Sequence, residues 1–443
     1  MLNQKIVFCL AVMVLFLAAL FGGGQGFFGD VLAQLAAIAL LIACLLNKQS
    51  ELNTASSTTR ILSFSFVAIV LFVPLLQLYP WSSSTEFAMQ MQRDLQEAGV
   101  QLSNGSSYKT YGAEHALFSL LPAIAIFMAC LQLPSHFRLR LLIALVLIVA
   151  FNIVIGFAQL AQGYNSPLRF YAITNVSEAV GFFANRNHFA SLLMMSLPLA
   201  VAATAWWVYK RKTKTAISPL LIIGGGLFCI LIILAMAVAR SRAGLLLGAI
   251  GVMLSLPAMF ALPNRVGMKR FFGVLLVFGV IVTIQFGLLG ILQRFNTGIV
   301  DNTRKEMTMT SIEAGKAFAP MGSGLGTFRQ AYAPFEARHE EQIVNTLTNH
   351  AHNDYAELWL EGGYPALLAI GIFWILFIVA GYRVWRLQKQ GDSFDVLLSR
   401  VAWVAVLLSL LHSYIDYPLR TTANASVFGL LLALTLVNRI PDR

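Results

Sequence analysis

Apolar runs of about 20 residues recur from one end of the chain to the other, and this property restricts the possible folds more than any other property of the sequence. An α-helix of that length crosses the hydrocarbon core of a bilayer. Because the bilayer core offers no water, backbone N–H and C=O groups must pair within each crossing segment, which favours helices over open sheets. Hydrophobic residues make up 58% of the chain and charged residues only 12%. The sequence therefore predicts an all-α, polytopic membrane protein with about twelve transmembrane helices.

The predicted helices are joined mostly by short connections. The first apolar run has the length of a signal peptide, but a second run follows almost at once, so we expect the first helix to be retained. We expect residues 1–443 to form a single integral membrane domain, with residues 292–362 as a large loop between helices 9 and 10. The predicted spans cover roughly residues 4–22, 27–46, 61–79, 113–132, 140–160, 188–209, 217–239, 244–262, 271–291, 363–382, 398–416 and 421–438.

Basic residues are concentrated in every second connection, and this alternation predicts the orientation of the helices. Lys210, Arg211, Lys212 and Lys214, for example, follow the sixth predicted span. Short loops rich in lysine and arginine face the cytoplasm, so both termini are expected on that side and the long connections on the other. This orientation accounts for much of the formal net charge of +11, which therefore does not indicate a nucleic-acid partner.

A second set of basic residues, which includes Arg186, Arg240, Arg242, Arg304 and Arg420, lies on the predicted outer side. In the stretch AMAVARSRAGLLLGAIG, Arg240 and Arg242 separate two apolar runs with almost no loop between them. Arginine at such a depth is costly unless it faces a cavity or an anion. One interpretation is that these side chains extend to the phosphates of lipid head groups. We favour a shared site for a lipid-linked phosphate or diphosphate, because guanidinium groups bind phosphate oxygens in pairs and keep their charge.

The stretch NHAHNDYAELWLEGG, residues 349–363, concentrates titratable side chains in an otherwise apolar chain. If the segment is extended, His350, His352 and Asp354 lie on one face. Asp354 and Glu357 resemble a capping box that opens a short helix, and the two glycines at the end of the stretch are expected to stop it.

Three interpretations of this stretch are open. The spacing His-x-His-x-Asp is compatible with a metal site, although no further cluster of Cys or His completes it. The polar residues could instead form a hydrogen-bonded structural turn. We favour a catalytic base, because histidine exchanges a proton near neutral pH and His352 is expected directly before a helix, close to the arginines.

The sequence contains no motif for a soluble activated donor. The Gly-rich stretch MGSGLGTFRQAY follows no predicted strand, so it is a poor match to a nucleotide-binding loop, and we expect its glycines to form turns that support the outer loop. There is no Asp-x-Asp pair for a metal-bound sugar nucleotide and no Walker motif. We therefore expect no cofactor, and a substrate that is activated by its own lipid linkage.

Four motifs in order resemble those of the O-antigen ligase and polysaccharide polymerase superfamily of bacterial inner-membrane glycosyltransferases. They are GFFANRNHFASLL, with an Asn-Arg-Asn signature; ARSRAG, with a Ser-Arg turn; the Arg304 segment followed by MGSGLGTF; and His352-Asn353 followed after nine residues by Gly363. HSYIDYPLR resembles the C-terminal segment of some members. The resemblance covers most of the chain and is strongest from about residue 180 to residue 420.

The resemblance implies a metal-independent, inverting transfer of a glycan from undecaprenyl diphosphate to an acceptor hydroxyl on the periplasmic side. It implies that His352 is the general base and that Arg242 and Arg304 bind the diphosphate. Arg186 is expected as a third phosphate contact and His350 as a neighbour of the base. The predicted substrate-binding set is completed by Arg240, Asn353 and Arg420.

The resemblance leaves the acceptor open. A ligase transfers the glycan to lipid A-core in lipopolysaccharide biosynthesis, whereas a polymerase of O-antigen or exopolysaccharide transfers it to another carrier-linked repeat. The DYPLR ending favours a polymerase slightly. A transporter or flippase of a lipid-linked anionic glycan and a protein O-oligosaccharyltransferase are the alternatives.

Overall fold

The computed structural model describes residues 2–24, 27–78, 110–210, 218–260, 299–336, 348–387 and 393–437, together with isolated residues between 90 and 97 and between 270 and 281. All regular structure in these residues is helical, which confirms the predicted all-α fold. The α-helices, in chain order, are α1 Leu2–Phe21, α2 Phe27–Leu46, α3 Ser57–Leu78, α4 Thr110–Gln132, α5 Ser135–Gln162, α6 Arg186–Lys210, α7 Pro219–Val238, α8 Arg242–Phe260, α9 Ile299–Ala317, α10 Phe328–Tyr332, α11 Asp354–Tyr382, α12 Phe394–His412 and α13 Thr422–Leu436.

Within the described residues, ten helices are long and apolar enough to cross a membrane, so the chain is a multi-pass membrane protein. They correspond to ten of the predicted spans. Helix α13 corresponds to an eleventh, but it has 15 residues and is shorter than the others. The span predicted at residues 271–291 lies largely outside the described residues, so the number of twelve stays a prediction.

Helix α6 lies at the centre of the bundle, where it packs against α7, α8 and α12. Of its apolar window, 78% is buried, and a helix that is apolar on all sides is expected in such a position. Two hydroxyl groups within it bond to its own backbone: Ser196 donates to the Leu192 carbonyl and Thr204 to the Ala200 carbonyl, each at 2.8 Å. The burial of this helix fixes the position of the residues at its N-terminal end.

The N-terminal ends of α6, α8, α11 and α13 meet the C-terminal end of α12 at one end of the bundle. A Cβ atom added to Gly244, near the start of α8, would lie only 2.7 Å from Cβ of Ala190, near the start of α6. The Asn187 side chain at the start of α6 donates to Asp416, just beyond α12. The N–H of Asp354 at the start of α11 donates to the Ser413 carbonyl at 2.8 Å, so these contacts join four connections that the charge pattern predicts on one side of the membrane.

Helix α11 is interrupted at Gly363, whose φ of 58° lies outside the helical region. Glycine tolerates this conformation because it has no Cβ atom. Pro365, two residues later, lacks the N–H that would bond to the carbonyl of Glu361. The stop predicted at Gly362 and Gly363 is therefore confirmed as a kink, after which the helix continues to Tyr382.

Backbone N–H groups of the Gly-rich segment 321–327 donate hydrogen bonds to the carbonyl groups that the kink leaves without a partner within the helix. The N–H of Ser323 donates to the Leu360 carbonyl at 2.9 Å, and that of Gly324 donates to the Glu361 carbonyl at 2.8 Å. Three glycines of the segment have a positive φ, which confirms that they form turns. They are Gly322, Gly324 and Gly326.

Candidate active site

The histidine-bearing segment is held by a helix cap that begins one residue earlier than predicted. The side-chain oxygen of Asn353 accepts hydrogen bonds from the backbone N–H groups of Tyr355 and Ala356, at 3.0 and 3.1 Å. The predicted capping box starting at Asp354 is therefore wrong, because Asn353 already satisfies the free N–H groups of the first turn. His352 consequently lies directly before a capped helix.

The three side chains at positions 350, 352 and 354 do not share a face, contrary to the extended arrangement considered from the sequence. His352 has a φ of 50°, a left-handed conformation that breaks the alternation of an extended chain. Nδ1 of His350 lies 2.8 Å from Oε1 of Glu357, whereas Nδ1 of His352 lies 3.3 Å from Oδ1 of Asp416. No group of three or more potential metal ligands is present among the described residues, so the geometry does not support the His-x-His-x-Asp metal interpretation.

Asp416 is the buried carboxylate around which the candidate active site is built. Besides His352, it accepts a 2.6 Å hydrogen bond from the Asn187 side chain and a 2.9 Å hydrogen bond from the backbone N–H of Tyr417. Nη2 of Arg304 lies 3.6 Å from its Oδ2 atom. The side chain is 1% exposed, so these groups rather than water stabilise it.

The charge state of Asp416 determines the tautomer of His352. Burial opposes ionisation, but the hydrogen bond from His352 and the nearby charge of Arg304 outweigh it and hold the Asp416 pKa well below its usual range. An ionised carboxylate can only accept hydrogen bonds, so Nδ1 of His352 must donate. In the neutral imidazole, Nε2 is then the acceptor nitrogen, on a side chain that is 22% exposed.

Arg304 is anchored by the same segment but keeps part of its guanidinium accessible. Nη1 donates to the Ile415 carbonyl at 3.1 Å while Nη2 faces Asp416. The side chain is 35% exposed. An arginine held in this way presents its remaining N–H groups in a defined orientation, which suits an oxyanion.

The ring of Tyr417 lies among three histidines. Its centroid is 4.1 Å from that of His350, 5.0 Å from that of His352 and 4.7 Å from that of His188. Burial and the charge of Asp416 raise the Tyr417 pKa, so the phenol stays neutral. The ring packs edge-on against the His352 imidazole, at an interplanar angle of 73°.

Arg240 and Arg242 lie in the tight turn between α7 and α8. Arg240 has a φ of 52°, and the Ser241 hydroxyl between them accepts a hydrogen bond from the N–H of Gly244, which caps α8. Both arginines are exposed, and neither forms an ion pair with a carboxylate among the described residues. The contact of Gly244 with Ala190 places the turn at the same end of the bundle as Asp416. The structure thus brings Arg304 and His352 onto one carboxylate, and Arg242 to the same end without direct contact.

Each residue of the Asn-Arg-Asn signature has its own contact. The side chain of Asn185 accepts a hydrogen bond from the N–H of Asn187 at 2.8 Å, which caps the start of α6. Arg186 forms an ion pair with Glu178, with Nη1 and Oε1 separated by 2.5 Å. Asn187 binds Asp416. The charge of Arg186, a predicted phosphate contact, is therefore already balanced by an acidic side chain.

Arg420, a predicted substrate contact, lies in a cluster of acids. Its Nη1 atom is 2.9 Å from a carboxylate oxygen of Glu361 and 3.3 Å from one of Glu357, and its Nε is 3.6 Å from Asp354. Burial opposes its charge, but the three acids outweigh this effect and raise the Arg420 pKa. His350 binds the same Glu357.

Sequence reasoning missed Asp416, Asn187 and Glu178. HSYIDYPLR and GFFANRNHFASLL are among the motifs of the resemblance, but no role for their acidic and amide side chains follows from the sequence pattern. A polar or acidic residue within a mostly apolar outer connection is costly to bury without a partner. That cost was the signal that could have identified Asp416.

Residues 227–371 match the family model described as O-antigen ligase. The matched region runs from α7 into α11 and contains Arg242, Arg304 and His352, whereas Asp416 lies outside it. No curated protein matches the sequence. The match supports a glycosyltransferase-like role as a ligase or polymerase in polysaccharide biosynthesis, at a membrane. This match over residues 227–371 supports the O-antigen ligase and polymerase superfamily as the family of the chain.

Proposed function

We propose that this protein is a glycosyltransferase of the bacterial inner membrane that transfers a glycan from undecaprenyl diphosphate to an acceptor hydroxyl. The O-antigen ligase match supports this reaction class. The observation that carries the proposal is the meeting of His352, Arg304 and Asp416, which combines a base with a partly accessible guanidinium group.

The base in this proposal is Nε2 of His352. It takes the proton of the acceptor hydroxyl, the oxygen attacks the anomeric carbon from the side opposite the diphosphate, and the configuration inverts. Asp416 is a positioning residue: it holds Nδ1 as a donor and stabilises the imidazolium that forms, as the aspartate does in the serine-protease triad. No metal takes part in this scheme.

The leaving diphosphate is the proposed partner of Arg304 and Arg242. As the bond between the anomeric carbon and the phosphate oxygen breaks, its electron pair remains on the diphosphate, where negative charge accumulates. Guanidinium groups that are already in place stabilise that charge without reorganisation, and a water-poor site strengthens the effect. Arg240, exposed in the same turn as Arg242, is the third proposed contact.

The other predicted substrate contacts are assigned supporting roles in this proposal. Asn353 caps α11 and thereby fixes His352. Arg186 holds Glu178, and Arg420 with His350 holds the acidic cluster at the start of α11. Each is engaged by a partner of its own, and breaking that contact to bind a diphosphate would leave an acidic or backbone group without a partner.

The proposed orientation places both termini in the cytoplasm and the loop of residues 292–362 in the periplasm. The charge alternation of the connections supports it. The contacts of Asn187 with Asp416 and of Arg304 with Ile415 support a common side for the connections to which these residues belong.

An assay with the purified protein in detergent tests the proposal. The donor is an undecaprenyl-diphosphate-linked glycan, and the two acceptors are lipid A-core and a second carrier-linked repeat. Product in the absence of sealed vesicles requires catalysis, and the acceptor used separates a ligase from a polymerase. No product with either acceptor, together with donor movement across vesicles, would identify a transporter instead.

A further inference from the structure

An apolar cavity of about 370 Å³ lies between α3, α4, α11 and α13. Its size is that of a site for a small ligand, roughly 300–1,000 Å³. The walls are built from side chains such as Phe66, Ile124, Ala369 and Phe428. Three of the four helices are long enough to cross the membrane. We therefore expect the apolar part of the cavity to lie at the depth of the hydrocarbon core of the bilayer.

One end of this cavity is polar. Asp354 and Arg420 line it together with Ser413 and Thr422. The Oδ2 atom of Asp354 is buried and has no hydrogen-bond partner among the described residues, and the same holds for Nη2 of Arg420. The Asp354 side chain is only 8% exposed. Oγ of Ser413, close to the Asp354 carboxyl group, is a third such atom. Buried polar atoms without a partner are rare, and three of them at the end of one cavity point to a ligand.

The charges at this end argue against an anionic ligand. Arg420 already faces the carboxylates of Asp354, Glu357 and Glu361, so acids outnumber the guanidinium three to one. A phosphate placed here would have to compete with these three acids for the one guanidinium group. A hydroxyl group fits, because it can donate to Oδ2 of Asp354 and accept from Nη2 of Arg420.

The polar end is also separated from the candidate active site. His352 contacts Asp416 on one side of the turn before α11, whereas Asp354, two residues later, lines the cavity. The left-handed φ of His352 produces this divergence. The two sites therefore share a turn but not their side chains.

We propose that this cavity binds a membrane lipid with a hydrocarbon chain and an uncharged, hydroxyl-bearing head group, as a site distinct from the one for the diphosphate. The chain occupies the apolar part and the hydroxyl binds Asp354 and Arg420. The proposal is independent of glycan transfer, since binding is measured without a donor.

Photolabelling of the full-length protein in phosphatidylcholine nanodiscs tests the proposal. The probe is a hexadecanol that carries a diazirine on its chain, and the labelled peptides are mapped by mass spectrometry. We expect labels on α3, α4, α11 and α13, and competition by unlabelled hexadecanol but not by hexadecyl phosphate. Equal competition by the phosphate would overturn the assignment of an uncharged head group.

A pair of variants tests the position of the site. Ala369→Phe places a ring in the cavity and is expected to reduce labelling at least about 10-fold. Gly371→Phe is the matched control two residues away, where an added Cβ meets nothing within 4 Å, and should label like the wild type. If Ala369→Phe does not fold, Ala425→Leu on α13 fills the cavity from the other side. Undiminished labelling in a folded filling variant would refute the site.

Discussion

Nδ1 of His352 lies 3.3 Å from Oδ1 of Asp416, although the two residues are 64 positions apart in the chain. Asp416 also binds Asn187 from α6 and faces Arg304 from α9. One buried carboxylate therefore connects the histidine segment with two other parts of the chain. The proposed chemistry depends on this arrangement, because the carboxylate sets the tautomer of the base and anchors a guanidinium group.

Replacement of the base tests the proposed chemistry most directly. We expect His352→Ala to reduce the rate of glycan transfer by about 10²–10⁴-fold, the usual contribution of a general base. The protein should still insert and fold, because the side chain is partly exposed. Transfer is measured with purified protein and polymer length by gel. His136→Ala, at an exposed histidine of α5, is the control and should be fully active. Normal polymer length or ligation in His352→Ala would contradict the proposal.

Asp416→Asn tests the positioning role. The amide keeps the shape but loses the charge that stabilises the imidazolium, so we expect kcat to fall by about 10²-fold or more while KM changes little. Asn187→Ala removes one hydrogen bond to Asp416 and leaves its contact with His352, so its effect should be smaller. A rise in KM alone for Asp416→Asn would instead indicate a role in substrate binding.

The depressed Asp416 pKa predicts a dependence of stability on pH. Its stabilising contribution is present above the unfolded pKa of about 3.9 and is lost as the pH falls toward the lower folded value. The wild type should therefore lose stability more steeply than Asp416→Asn below about pH 4. Thermal unfolding in detergent, followed from about pH 3 to pH 7 for both proteins, measures this difference. Parallel curves would show that the carboxylate is not stabilised by its neighbours.

Lysine substitutions test the geometry of diphosphate binding. Arg242→Lys and Arg304→Lys keep the charge but lose the planar fork, and we expect kcat/KM to fall at least about 10-fold in each. Arg60→Lys, at an exposed arginine of α3, is the control and should behave like the wild type. Full activity of both site variants would remove the argument for bidentate binding.

Removal of Arg420 distinguishes a supporting role from substrate binding. Arg420→Gln leaves three buried acids without their cation, and we expect a loss of about 3–5 kcal/mol in the free energy of unfolding. Combining it with Glu361→Gln should restore part of this loss, because one of the unpaired charges is then removed. Thermal unfolding of the single and double variants measures both effects. A variant with normal stability and no activity would favour the predicted substrate contact.

Several structural features could be predicted from residues that are close in sequence. The kink of α11 follows from Gly363 and Pro365, since one tolerates a left-handed backbone and the other lacks an N–H. The turns at Gly322 and Gly324 follow from the same freedom. The capping box was misplaced because Asn353 and Asp354 are both good caps, and only their contacts distinguish them.

The sequence by itself determined the class of fold. Hydropathy is a property of consecutive residues, and a bilayer core without water leaves the backbone of each apolar run no alternative to a helix. The pairing of charges was decided only by the tertiary structure, because it joins residues that are distant along the chain. Arg186 and Arg304 look alike in the sequence, yet packing places Glu178 against the first and leaves the second partly accessible beside Asp416.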